Sequence, residues 1–133
     1  MRTIKELCDL VRETAYAIHI FHGHGHLEKV YENALAHRLR KAGLEVKQQS
    51  PLTVFEEDGI VVGEYFADLL VEDRLIVELN ACRTMTDEHV AQILGYLKSS
   101  RREDGLLINF GSYKFQIKKY VMSHEGTQRP QED

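Results

Sequence analysis

Apolar residues recur at Ile4, Leu7, Val11, Ala15 and Ile18, a spacing that draws one stripe along a helix and predicts a first helix from Thr3 to about His22. The run His22-Gly23-His24-Gly25-His26 interrupts it. Helical spacing resumes from Leu27 to Ala42 through Val30, Tyr31, Ala34 and Leu39, and Gly43 is placed to cap it, so the two helices form a bent pair. After Leu44 the pattern becomes that of strands: Val46, Leu52, Val54 and Phe55, then Ile60 to Val71, then Leu75 to Leu79. The links Glu57-Asp58-Gly59 and Glu72-Asp73-Arg74 are too short for anything but antiparallel neighbours. Thr86 to about Ser99 is helical again, with Val90, Ile93, Leu94 and Leu97 as its stripe, and Gly105 to Phe110 and Lys114 to Val121 close the pattern as strands. The order ααβββαββ predicts one α/β domain over residues 1–122, a central mixed sheet flanked by helices, with the polar residues 123–133 as a flexible tail.

The middle hairpin carries the candidate chemistry. Phe66 to Val71 and Leu75 to Leu79 are nearly continuous apolar runs, which predicts strands covered on both faces, and Asp68 and Glu78 are the exceptions within them. A turn centred on Asp73 sets these two acids directly opposite each other, where cross-strand Cβ atoms lie about 4.5 to 5.5 Å apart. Alternation along the strand adds Asn80 to the Glu78 face. Two like charges in a partly buried place raise each other's pKa and need compensation. A divalent cation provides it, and magnesium in particular favours one or two carboxylates completed by water and phosphate. Separate ion pairs with Arg or Lys, or a shifted register, account for the acids equally well on the hairpin alone.

Composition narrows the class. A chain of 133 residues, 43% hydrophobic and 29% charged, has the balance of an ordinary globular domain. Cys8 and Cys82, far apart and without a leading apolar segment, fit reduced thiols in a cytoplasmic protein, and no apolar run is long enough to span a bilayer. A net charge of -4 excludes bulk electrostatic coating of nucleic acid. Local basic clusters (Arg38, Arg40, Lys41; Lys98, Arg101, Arg102; Lys114, Lys118, Lys119) read individually as solvated faces. His19, His22, His24 and His26 lack the spacing of a defined zinc site on a continuous helix, and contacts to phosphate at a pocket rim outrank a metal role for them. Tyr65, Phe66 and Tyr96 read as core aromatics. There is no phosphate-binding Gly-Lys loop and no recognisable Ser or Cys nucleophile motif.

Several separated motifs occur together in order: Gly25-His26-Leu27-Glu28-Lys29-Val30-Tyr31, Gly63-Glu64-Tyr65-Phe66-Ala67-Asp68-Leu69-Leu70, Ile76-Val77-Glu78-Leu79, and Gly105 to Gly111. Over residues 4 to 121 the chain resembles the bacterial GxxExxY family of the PD-(D/E)XK nuclease superfamily. The resemblance implies a restriction-endonuclease-like α+β sandwich acting on DNA phosphodiesters with magnesium or manganese. It implies Asp68, Glu78 and the Leu79 carbonyl as metal ligands and Glu28 as an additional helical acid. Gln92 and Tyr96 match a Gln-x-x-x-Tyr element of related nucleases, and His89 is spaced to join their face. Where the superfamily has a lysine, two residues beyond the second acid, this chain has Asn80. Asn is neutral, so cleavage is expected to be weak or absent unless Lys98 or another basic residue substitutes. The competing expectation is a nuclease-fold module that has lost cleavage and binds nucleic acid or a protein partner, a second copy of the chain included.

Overall fold

The computed structural model describes residues 1 to 123. The elements are α1 (Ile4–His22), α2 (Glu28–Lys41), β1 (Val46–Phe55), β2 (Val61–Val71), β3 (Leu75–Asn80), α3 (Asp87–Ser100), β4 (Asp104–Asn109) and β5 (Gln116–Val121). This is the order ααβββαββ, with element ends within a residue or two of those the periodicity predicts. Ser123 still forms an isolated bridge, and the rest of the expected tail, residues 124–133, lies outside the described residues. Among the described residues no helix is long and apolar enough to cross a membrane.

The five strands form one sheet in the order β1-β2-β3-β4-β5. β1, β2 and β3 are antiparallel neighbours, β3 and β4 run parallel across the α3 crossover, and β5 returns antiparallel on β4. The sheet is therefore mixed, an α+β arrangement of the restriction-endonuclease-like kind. One core, built on Leu7, Val11, Ala15 and Ile18 of α1 and Tyr31, Leu35 and Leu39 of α2, covers one face. A smaller one around Tyr96 and Leu97 of α3 covers the other.

Three devices set up the site. The first is the turn between β2 and β3, where Glu72 and Asp73 both take positive φ (54° and 56°) and Arg74 N–H donates to Val71 O at 3.0 Å. That turn fixes the register Leu69 to Val77 and Leu70 to Ile76, and the next pair along is Asp68 and Glu78.

The second device is a change of face in the β1–β2 ribbon. Leu69 and Val71 pack in the α1/α2 core and Leu70 in the α3 core, as alternation demands, yet Ala67 also packs in the α3 core. On β1 the same switch separates Val46 from Leu52. The switch falls at Gln49 and Asp68, and Gln49 takes φ of 50°, a left-handed conformation uncommon for a residue with a side chain.

The third device is the loop between α1 and α2. Tyr31, fully buried and stacked on Phe110 with centroids 4.5 Å apart, donates its hydroxyl to Gly23 O at 2.6 Å and accepts from His26 N–H at 3.1 Å. Tyr31→Phe, which keeps the stack and removes both bonds, is expected to cost roughly 1 to 2 kcal/mol in urea unfolding. An unchanged midpoint would show that the loop is held by something else.

The prediction of strands covered on both faces holds for β3, whose Leu75 to Leu79 are all buried, and for Ala67 and Leu69 to Val71 of β2, and fails at Phe66. Val61 to Phe66 pair only with β1, because β3 is six residues long and its ladder with β2 reaches only Leu69. Tyr65 and Phe66 are consequently 48% and 51% exposed and are not core aromatics, whereas Tyr96 is.

Candidate active site

At Asp68 and Glu78 the backbone ladder between β2 and β3 gives way to side chains. Asp68 N–H donates to Glu78 Oε2 at 2.9 Å, and Leu79 N–H donates to Asp68 Oδ2 at 2.8 Å. Each acid thus caps the backbone amide that the parting strands leave unpaired, which gives these positions a structural reason to carry carboxylates. Within a strand one residue's N–H and C=O point to the same side, so the Leu79 carbonyl also faces this fork, while Asn80 O faces β4 and accepts from Phe110 N–H at 2.8 Å.

Glu78 is only 8% exposed, and its carboxyl is pushed up from the usual 4.5 to about 8, first by burial and then by the charge of Asp68. Asp68 is raised by burial as well, against the Leu79 N–H and the Gln49 side-chain amide, which favour its ionised form. Glu28, at the first position of α2, is raised by burial and by Asp68, offset in part by the Ala81 backbone amide. These shifts share one origin: acids from β2, β3 and α2 converge where water is partly excluded.

The sequence reading missed two members of this cluster. Glu32, one turn beyond Glu28, is 4% exposed and accepts from Lys29 Nζ at 3.1 Å, Gln48 Nε2 at 2.8 Å and Gln49 Nε2 at 2.9 Å. Gln49 reaches Asp68 Oδ1 at 3.2 Å with the same amide, so its unusual φ turns a strand side chain into the bridge between the helix and the fork. The four-residue spacing of Glu28 and Glu32 was the available signal for Glu32. Nothing in the sequence marks Gln49.

On the α3 side, Gln92 Nε2 donates to the Tyr96 hydroxyl at 2.8 Å. The Tyr96 phenol is raised by burial and then by the charge of Glu78, which places it beside the fork. Gln92 itself is exposed and joins the group through Tyr96. His89 is engaged differently from the expectation that it joins the Gln92 face: its Nδ1 accepts from Thr86 N–H at 3.0 Å in the cap of α3. Asn80 ends β3 on the side of Ile76 and Glu78, and Lys98 is exposed on α3. The histidines of the α1–α2 region belong elsewhere: His19 Nε2 lies 2.8 Å from Ser112 O, and with His24 and Tyr113 it lines a separate groove of about 610 Å³ that none of the acids borders.

Among the described residues no three acids, histidines or cysteines stand close enough together, as they are, to hold an ion. Their chemistry nevertheless suits a hard divalent cation. The donors are carboxylate and carbonyl oxygens, burial raises the Glu78 carboxyl to about 8, and Lys29 pairs with Glu32 at 3.1 Å.

A mixed sheet clasped by helices on both faces, with an acidic fork opening between its second and third strands, defines a nuclease-type α+β domain. The chain belongs to the PD-(D/E)XK nuclease superfamily, whose family model matches residues 5–120, and nucleases of that superfamily generally use divalent metal ions. No curated protein and no solved structure matches the chain.

Proposed function

We propose that this protein is a divalent-metal-dependent phosphodiesterase acting on DNA, with Asp68, Glu78, Glu28 and the Leu79 carbonyl holding magnesium or manganese. The observation that carries this reading is the convergence of buried Glu78 and Glu32, half-buried Asp68 and the more exposed Glu28 on one fork, where burial and neighbouring charge raise the Glu78 carboxyl to about 8. A bound divalent ion supplies Lewis-acid charge to a phosphate and lowers the pKa of a water. The chain's own residues then have distinct tasks. The Leu79 and Asp68 amides fix the two carboxylates in place, and Gln49 ties Asp68 to Glu32. Tyr96, steadied by Gln92, borders the fork on the α3 side and offers a hydroxyl to a substrate oxygen.

A second reading, a silent module that binds nucleic acid or a partner protein, is favoured by Asn80, which brings no charge where the superfamily has lysine. Titration calorimetry of wild type, Asp68→Ala and Glu78→Ala with manganese, paired with a cleavage assay on DNA, separates the two. The expected result is a single saturable site in wild type, lost in both variants, with metal-dependent cutting lost by a factor on the order of 10² or more. Saturable binding without cutting supports the silent module. No binding in any of the three removes the metal reading altogether.

A further inference from the structure

We propose that Lys29, in the first turn of α2, supplies the positive charge that Asn80 does not bring to the acid fork. This rests on reading the fork as a phosphodiester site. Lys29 Nζ lies 3.1 Å from Glu32 Oε2, Glu32 Oε1 accepts from Gln49 Nε2 at 2.9 Å, and that same amide reaches Asp68 Oδ1 at 3.2 Å. Lys29 is therefore joined to Asp68 through two intermediaries, one helical and one from β1. Its charge also favours the ionised form of Asp68.

The plain alternative is an ordinary i,i+3 pair on a helix surface, which contributes little. Two features set this pair apart. Such pairs join two solvated side chains, but here the lysine side chain is 61% exposed and the glutamate only 5%. The buried glutamate is also bonded to Gln48 and Gln49 on β1, so its position is set by the sheet and not by the helix alone. The result is a solvent-reaching ammonium anchored at the rim of the fork, free to swing towards an incoming anion. In the superfamily pattern the cation rises from the sheet at the Asn80 position; here it descends from the helix that also carries Glu28.

Hydrolysis of a phosphodiester forms a bond from a water oxygen to phosphorus and breaks the bond to the departing sugar oxygen, which takes the electron pair. The water gives up a proton and the departing oxygen takes one up. Negative charge accumulates on the phosphoryl oxygens between these events, and a flexible ammonium at the rim is suited to meet it.

The test uses Lys29→Met and Lys29→Arg in the full chain. Manganese alone is titrated calorimetrically, and single-turnover cleavage of duplex DNA is followed in magnesium. Removing a positive charge from the field of a bound cation is expected to tighten manganese binding in Lys29→Met by about 3- to 10-fold. Cleavage in the same variant is expected to fall by about 100-fold. Lys29→Arg, which keeps the charge, is expected to stay within about tenfold of wild type in both measurements. A lysine that merely props Glu32 in place would instead loosen manganese binding in Lys29→Met, and that result, or an unchanged affinity, overturns the proposal. Should wild type bind manganese without cutting, the direction of the affinity change still decides. Loss of manganese dependence on Asp68 would fail the fork itself, and Asp68→Ala titrated alongside distinguishes that failure from this one.

Discussion

Glu78→Gln is expected to make the ion-free protein more stable at pH 8 while removing its capacity for divalent ions. The unfolded chain releases the Glu78 proton near 4.5 and the folded chain only near about 8, so between those values the folded state holds one more proton than the unfolded state. Stability therefore falls as pH rises across that interval, by roughly 1 kcal/mol per pH unit from this group. Glutamine keeps the shape and the oxygen that accepts the Asp68 N–H and has no proton to lose. The pH dependence of the melting temperature should flatten between pH 5 and 8, and the variant should melt several degrees above wild type at pH 8. In wild type the ordering reverses when manganese is added, because ion binding displaces the same proton. Calorimetry in two buffers of different ionisation enthalpy reads that release directly. A variant with the wild-type pH slope would show that Glu78 is ionised in the folded state, and the cluster would then need a different source of compensation.

Gly111→Ala is expected to be the most damaging single-methyl change outside the fork. A Cβ there would overlap the Ala81 carbonyl carbon and the Cys82 nitrogen, both backbone atoms that cannot rotate away. The contact is close because Asn109, fully buried at the end of β4, accepts from both Cys82 N–H (3.1 Å) and Gly111 N–H (2.9 Å) with one side-chain oxygen. That clasp ties the segment leaving β3 to the segment leaving β4, and the former presents the Ala81 amide to Glu28. Overpacking of this kind costs about 3 kcal/mol, which for a domain of this size lowers the melting temperature by about 10 °C. If the backbone yields instead of the fold, the Ala81 amide moves off Glu28 and manganese affinity drops while the melting temperature holds. A variant unchanged in both measurements would mean that the two segments are not in contact.

Both predictions turn on features of different legibility. The facing of Asp68 and Glu78 could be read from the chain because it depends on local facts: the length of the turn around Asp73 and the alternation of two short strands. Glu28, Asp68 and Glu78 are three acids that the motifs singled out, and the fold brings them into one electrostatic cluster. Gln49 could not be read, because its role depends on a left-handed residue in mid-strand that alternation alone forbids one to expect. Tyr65 and Phe66 were misread for a related reason: an apolar run tells what a strand is made of, while the length of its neighbour decides whether it is covered.

The amino-acid sequence by itself determined the order of the elements, the hairpin register and the superfamily, since periodicity, turn length and motif spacing act over a few residues at a time. The tertiary structure alone decided which side chains complete the fork. Docking α2 against β1 links Lys29 and Glu32 through Gln49 to Asp68, and burial on both faces of β3 raises the Glu78 carboxyl to about 8. Charges separated along the chain acquire their meaning only when packing removes the water between them and lets one carboxylate feel another.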